Sequence, residues 1–209
     1  MSAIPSEQLR IDHWLARFPA EPPPSGVAGA AVLIVLRPAP PGIEVLLLRR
    51  SRRTSDPGSD QVGLPGGRVD ARDRSLAETA LREFEEETGV SRRAVAEPPA
   101  FLGIRPAPRF QLHVGLFATT LREDHELRFV PDAREVAALF WFPIDRLGRT
   151  DRVTMPVGSG TIEVDAIPHG EHTLWGFTLR VLQSTLEGLV APAATAGSPP
   201  DGSPPKPRI

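Results

Sequence analysis

Three glutamates in the segment 82–90, REFEEETGV, have the residue type and spacing of a metal-binding site. On a helix that begins near Ser75, the carboxylates of Glu83, Glu86 and Glu87 fall on one side within little more than one turn. Like charges three or four residues apart destabilise a helix by about 0.2–0.5 kcal/mol per pair, so stability alone does not favour this clustering. A hard divalent cation removes that cost, because it binds carboxylate oxygens and keeps waters that a phosphate can displace. The pattern predicts a site for Mg²⁺ or Mn²⁺ and a phosphate-bearing ligand.

Neighbouring residues are placed to position these acids. Arg82 directly precedes the first glutamate and can orient the carboxylates. Upstream, Gly66 and Gly67 follow Pro65 and can bring bare backbone close to a ligand, because glycine lacks a Cβ and tolerates positive φ. The other side of the helix carries an apolar-leaning stripe, formed by Ala77, Ala80, Leu81, Phe84 and Thr88. The segment 63–90 therefore predicts a loop and a helix that packs on one side and presents acids on the other.

The same segment resembles the signature box of the Nudix hydrolases, G-x5-E-x7-R-E-U-x-E-E-x-G-U, in which U is apolar. Residues 82–90 fill its second half without a gap. The first half fits if the loop contains one extra residue, since Gly67 then takes the glycine position and Asp73 the acidic position. Three glutamates alone would fit a solvated acidic helix equally well. The length of the match and the glycine turn in register favour the family.

The resemblance implies a metal-dependent hydrolase of a nucleoside diphosphate linked to another group. Four catalytic side chains are implied: Arg82, Glu83, Glu86 and Glu135. The implied metal ligands are Glu83, Glu86, Glu87 and a backbone carbonyl of the glycine turn at Gly67. Glu83 could accept the proton of the attacking water directly. Glu135, which precedes an apolar segment, could equally be a cap or a surface charge.

Upstream of the box, the chain is similar to the coenzyme A diphosphatase branch of the family. That branch carries L-L-T-x-R-S-A-x3-R-x3-G-x3-F-P-G-G, and residues 46–67 have the same length. Four substrate-binding residues are implied: Arg50, Ser51, Gly66 and Gly67. The implied reaction cuts CoA at its diphosphate, giving 4′-phosphopantetheine and adenosine 3′,5′-bisphosphate. The chain departs from the pattern where Thr, Ala, Arg, Gly and Phe are replaced by Leu48, Arg52, Asp56, Asp60 and Leu64.

These departures leave alternatives open. The substrate could be ADP-ribose or a dinucleotide, or the domain could be a non-catalytic nucleotide-sensing module, although relic boxes usually lose the carboxylates that are intact here. Phe110, Trp14 and Trp141 could stack on an adenine, but aromatic residues in strands more often belong to the core. His169 and His172 lack a third metal ligand nearby and fit a polar loop better.

Composition narrows the class of protein. The chain has 209 residues, 40% of them apolar, which is enough for one good core. A net charge of −2 disfavours nucleic acid and anionic membranes as partners. The absence of cysteine, of a long apolar run and of a signal-peptide pattern predicts a soluble cytoplasmic protein. The expected partner is a small nucleotide diphosphate, and a homodimer remains open.

The remaining patterns predict the elements that hold the loop and helix. A first helix is expected at 6–18 and a last one at 174–190, with strands at 27–36, 43–48, 101–104, 110–119, 136–142 and 161–167. Strands around one central helix predict an α+β fold, which the resemblance specifies as a Nudix-type α/β/α sandwich with a mixed sheet. The expected divisions are a helix and Pro-rich linker at 1–26, the domain at 27–191, and a disordered Pro-rich tail at 192–209.

Overall fold

The computed structural model describes residues 6–20, 28–52, 60–122, 127–157 and 160–190. A seven-stranded sheet forms the centre of this part of the chain. Its strands β1 to β7 are Ala30–Ala39, Gly42–Arg50, Val62–Gly63, Gly66–Arg68, Ala100–Ala107, Leu112–Thr120 and Val136–Pro143. A smaller sheet contains β8 to β10, which are Asp151–Val157, Gly160–His169 and His172–Trp175. The helices α1 to α3 are Ser6–Leu15, Leu76–Thr88 and Gly176–Leu186, and short 3₁₀ turns occupy Arg92–Ala94, Pro108–Phe110 and Ile144–Gly148.

The central sheet is mixed, as expected. Its main order is β3-β2-β1-β6-β5, while β4 pairs with β1 and β7 pairs with β2. Strands β1 and β6 are parallel, and the other pairs are antiparallel. The consecutive apolar residues 33–36 of β1 are fully buried, which is typical of a strand covered on both faces.

Helices cover the two faces of this sheet and complete an α/β/α sandwich. On one face, Phe84 of α2 packs with Leu33 and other buried residues of β1. On the opposite face, Trp14 of α1 and Leu182 of α3 join a second apolar cluster. The α+β architecture predicted from the sequence is therefore confirmed.

Helix α2 begins and ends where its capping residues dictate. The Ser75 side chain accepts a hydrogen bond from the Glu78 N–H at 3.1 Å, which satisfies a backbone donor of the first turn. Gly89 ends the helix with a left-handed φ of 69°, where the backbone of Val130 leaves no room for a Cβ. The predicted apolar stripe faces the sheet. Glu87, which was expected on the side opposite this stripe, is also buried, with 5% of its surface exposed.

Several predicted boundaries were wrong. The last helix begins at Gly176, because Leu174 pairs with Ile167 in the antiparallel ladder of β10 and β9. The strand expected at 110–119 begins at Leu112, after the 3₁₀ turn. The strand expected at 161–167 exists, but it is mostly exposed.

Other parts of the sequence prediction concern residues outside the described ranges. These parts are the Pro-rich linker, the tail at 192–209 and Asp56. Among the described helices, none has the length and hydropathy needed to cross a membrane.

Candidate active site

A cavity of about 700 Å³ brings together most of the residues predicted for the site. It lies against α2, the glycine strand β4, the end of β2 and the beginning of α3. Six of the predicted site residues line it: Arg50, Gly66, Gly67, Glu83, Glu87 and Glu135. Three others, Ser51, Arg82 and Glu86, do not line it, and their contacts are described below.

Glu87 is a nearly buried carboxylate in the wall of this cavity. It accepts a hydrogen bond from the Gly66 N–H at 2.9 Å, and Arg50 Nη1 lies 3.7 Å from its other oxygen. Burial raises the pKa of the Glu87 carboxyl to about 8, and the nearby acids Glu83 and Glu135 act in the same direction. The surroundings of this carboxylate therefore disfavour its charged form.

The glycine turn fits closely against its neighbours. A Cβ on Gly67 would collide with the carboxylate of Glu83. A Cβ on Gly66 would lie 2.5 Å from the carbonyl oxygen of Ala31. The two glycines therefore allow β4 to approach both the helix and β1, which places the Glu83 carboxylate beside bare backbone. The pKa of Glu83 is also raised, mainly by burial.

Arg82, which the sequence analysis expects to orient the acids, donates hydrogen bonds to two of them. Its Nη1 donates to Glu83 Oε1 at 2.9 Å and to Glu86 Oε2 at 3.0 Å. Its Nε and Nη2 donate to the two oxygens of Asp73 at 2.9 and 3.0 Å. The Arg82 guanidinium holds the pKa of the Asp73 carboxyl well below its usual range. Asp73, the residue assigned to the early acidic position of the box, thus fixes the arginine that holds Glu83.

Glu86 differs from the other two glutamates of the box. Its side chain is 55% exposed and contacts Arg82 at the edge of the site instead of lining the cavity. In the part of the chain that the structure describes, no three histidine, cysteine, aspartate or glutamate side chains are already arranged to hold a metal ion. The carboxylates that share the cavity are those of Glu83, Glu87 and Glu135.

Ser51 contacts the loop that carries Glu135. Its hydroxyl donates to the Ala133 carbonyl at 2.7 Å, and its N–H donates to the Glu135 carbonyl at 2.8 Å. The Glu135 N–H in turn donates to the Asp132 carbonyl at 2.8 Å. Ser51 therefore fixes the backbone that presents Glu135 to the cavity.

Part of the cavity wall was missed by the sequence prediction. The turn containing Arg109, Phe110 and Gln111 lines it, as do Trp175 and Phe177 near the start of α3. Phe110 was considered for base stacking, whereas the other residues were not assigned to the site from the sequence. Gln111 is one of two non-glycine residues with positive φ in the described ranges, a property that only the backbone shows.

Four aromatic or histidine residues considered from the sequence do not line the cavity. Trp14 is buried in the core, and Trp141 packs against the Arg37 guanidinium, which lies 4.0 Å from the ring centroid. His169 and His172 both stack on one aromatic ring, that of Phe140.

Two of the departures upstream of the box interact with each other. Arg52 Nη2 donates to Asp60 Oδ2 at 2.8 Å on the surface. Asp60 occupies the glycine position of the pattern and has a φ of 61°, the left-handed conformation that glycine adopts most readily. Leu64, which replaces Phe, lines the cavity.

Known proteins resemble this chain in both sequence and fold. The model of the NUDIX domain matches residues 27–157. The uncharacterised Nudix hydrolase NudL of Pectobacterium atrosepticum is 35% identical over 158 residues, which cover 68% of this chain and 73% of that protein. The mitochondrial coenzyme A diphosphatase NUDT8 of Homo sapiens is 33% identical over 195 residues, which cover 85% of this chain and 73% of that protein.

A solved structure shows the likeness of fold. The MutT/nudix family protein from Enterococcus faecalis has a TM-score of 0.50 and 17% identity, with 89% of this chain and 74% of that chain covered. The prediction drawn from residues 82–90 is confirmed, and the chain belongs to the Nudix hydrolase family.

Proposed function

We propose that this protein hydrolyses the diphosphate of CoA or a CoA derivative, giving 4′-phosphopantetheine and adenosine 3′,5′-bisphosphate. The observation that carries the proposal is the cavity in which Glu83, Glu87 and Glu135 face a common space beside Arg50. Its volume of about 700 Å³ is within the range of sites that hold a large organic ligand. The CoA diphosphatase among the relatives, together with the upstream pattern at residues 46–67, supports CoA as the substrate.

The carboxylates fit a hard divalent cation. They supply oxygen donors of the kind that Mg²⁺ and Mn²⁺ prefer, and burial raises the pKa of Glu87, so a bound cation would stabilise its charged form. Glu83, Glu87 and Glu135 would hold the metal, with Glu86 available from the edge of the site. When bound, a divalent cation lowers the pKa of water and neutralises phosphate oxygens.

The protein's own residues would position the reacting groups. Arg50, at the end of β2, would contact a diphosphate oxygen, because its guanidinium already reaches toward Glu87 inside the cavity. Arg82 would keep Glu83 in one rotamer through their hydrogen bond. A water oxygen forms a bond to one phosphorus, the bond between that phosphorus and the bridging oxygen breaks, and the water's proton passes to Glu83 or Glu135.

A substrate panel tests this proposal. The purified protein would be incubated with Mg²⁺ or Mn²⁺ and with CoA, dephospho-CoA, ADP-ribose or a diadenosine polyphosphate, and the products would be identified by mass spectrometry. Conversion of CoA to the two named products is the expected result. If ADP-ribose or the dinucleotide is hydrolysed well and CoA is not, the CoA assignment is wrong. Binding without hydrolysis of any of these compounds would support the nucleotide-sensing alternative.

A further inference from the structure

The cavity continues away from the glutamates across the sheet. Ala31 of β1 pairs with Gly67 of β4 on one side and with Gly115 of β6 on the other. The cavity passes over the end of β1 and over Leu112 of β6, and it reaches the 3₁₀ turn Pro108–Phe110 that joins β5 to β6. From β4 to β5 this path crosses three strand spacings, roughly 14 Å. It therefore extends well past the space that a diphosphate occupies.

Aromatic side chains line this cavity, and Phe110 is the one at its far end. Phe110 lines it and is 38% exposed, although a phenylalanine without a ligand is normally buried. Trp175 and Phe177 line the same cavity from the start of α3. That start is anchored on β3, because the Thr178 hydroxyl donates to the Val62 carbonyl at 3.1 Å. Flat aromatic side chains on a fixed frame favour a planar ligand over a flexible chain.

Gln111 adds a polar group held in an unusual backbone conformation. Its φ of 51° and ψ of 41° are left-handed, a conformation that is unfavourable for a residue with a Cβ. Its N–H donates to the Pro108 carbonyl at 3.0 Å, which holds the turn. Strained residues of this kind cluster at ligand sites. Gln111 lines the cavity, and its side-chain amide can both donate and accept a hydrogen bond.

We propose that Phe110 and Gln111 form the subsite for the adenine of the nucleoside half of the substrate. Phe110 stacks on the base, and the Gln111 amide binds its polar edge. The inference rests on the proposed function, since the carboxylate end of the cavity must take the diphosphate. It places the nucleoside half of the substrate toward Phe110 and Gln111. The pantetheine half then extends from the diphosphate in another direction.

Binding of the separate product halves tests this assignment without requiring turnover. Calorimetry on the full chain would compare adenosine 3′,5′-bisphosphate with 4′-phosphopantetheine. We expect Phe110→Leu to weaken the binding of adenosine 3′,5′-bisphosphate about tenfold, because stacking on an aromatic ring contributes about 1–3 kcal/mol per base. Phe110→Tyr keeps the ring and should retain the affinity. Leu9→Ala, which changes an apolar residue of α1 that is 44% exposed, is the matched control and should have no effect.

Gln111→Gly provides a second variant that suits the left-handed backbone. It should preserve the melting temperature and reduce the preference for AMP over UMP, because the base edge loses its partner. Unchanged binding of the bisphosphate to Phe110→Leu would overturn the assignment, as would equal weakening of 4′-phosphopantetheine or no measurable binding of adenine nucleotides to the wild type. If CoA is hydrolysed but Phe110→Leu has no effect, only this inference fails. If nothing is hydrolysed but the Phe110 effect appears, only the proposed function fails.

Discussion

Arg82 and Asp73 form a bidentate ion pair that joins α2, the helix that carries the glutamates, to the loop that precedes it. The guanidinium donates from Nε and Nη2 to the two carboxylate oxygens, and the Asp73 side chain is only 3% exposed. The Thr79 hydroxyl and the Asp70 N–H also donate to Asp73, each at 2.9 Å. The same guanidinium holds Glu83. The position of Glu83, a proposed metal ligand, therefore depends on Asp73, a buried acid that does not line the cavity.

Replacing Asp73 should destabilise the fold and loosen Glu83. Asp73→Asn keeps the size of the side chain but removes the charge that pairs with Arg82, and we expect a loss of about 2–4 kcal/mol in the free energy of unfolding. Urea denaturation measures this loss. Asp70→Asn is the matched control, since Asp70 pairs with the exposed Arg72 on the same loop, and its effect should be small. Equal stability of the Asp73→Asn variant and the wild type would contradict the role of this pair.

The ion pair between Arg82 and Asp73 should make the free energy of unfolding depend on pH. Arg82 holds the pKa of Asp73 well below its unfolded value, so the stabilisation is complete above the unfolded pKa of about 4. It is lost as the pH falls from about 4 toward the lowered folded pKa. We therefore expect the difference in unfolding free energy between the wild type and Asp73→Asn to shrink below about pH 4. A constant difference down to pH 2 would show that the charge is not the cause.

The sequence predicts those parts of the molecule that local chemistry determines. Ser75 and Gly89 bound α2 because a cap side chain and a left-handed glycine act within one turn. The segment 82–90 was identified because its residues are contiguous. Pairing between distant strands is not visible in this way. Leu174 has helical spacing with later residues, but its ladder with Ile167 places it in a strand.

The contacts of individual site residues are also set by distant partners. The sequence places Glu87 with the other acids, but its burial results from the approach of the glycine strand. Ser51 lies in a substrate-binding pattern, yet its hydroxyl contacts a loop more than 80 residues away, at Ala133. The turn that brings Phe110 to the cavity is followed by the left-handed Gln111, a conformation that no residue pattern signals.

Removing the charge of Glu83 or Glu87 should abolish most of the activity. Glu83→Gln and Glu87→Gln preserve size, and we expect kcat to fall by about 10² or more because metal and water lose a ligand or base. Glu78→Gln is the control on the same helix, since Glu78 pairs with Arg74 outside the cavity. Near-normal conversion of CoA by either folded cavity variant, measured as formation of 4′-phosphopantetheine by mass spectrometry, would refute the assignment.

Metal binding should be visible without turnover. Mg²⁺ or Mn²⁺ at about 100 times its Kd should stabilise the wild type by about 2.7 kcal/mol, which corresponds to a rise in Tm of roughly 5–10 °C. The rise should be largely absent in Glu87→Gln, because the buried carboxylate no longer supplies a charged ligand. Differential scanning calorimetry with and without metal measures both values. An equal rise in both proteins would place the metal away from Glu87.

Ser51 should act on turnover through Glu135. The Ser51 hydroxyl and N–H donate to the Ala133 and Glu135 carbonyls, so Ser51→Ala removes one of the two hydrogen bonds from Ser51 to this loop. We expect kcat to fall about fivefold to tenfold with little change in KM, because a small misplacement of a catalytic group lowers the rate of the chemical step. Steady-state kinetics on CoA would separate the two constants, and Ser51→Thr, which keeps a hydroxyl, should recover part of the loss.

A double variant distinguishes this role from direct contact with the substrate. If Ser51 acts by placing Glu135, then Ser51→Ala should add little to the loss caused by Glu135→Gln, because the two changes remove the same contribution. Independent roles would instead multiply the two losses. A higher KM for CoA in Ser51→Ala, with kcat unchanged, would indicate that Ser51 binds the substrate, as the upstream pattern implies. The comparison of the four proteins therefore decides which function the serine at position 51 performs.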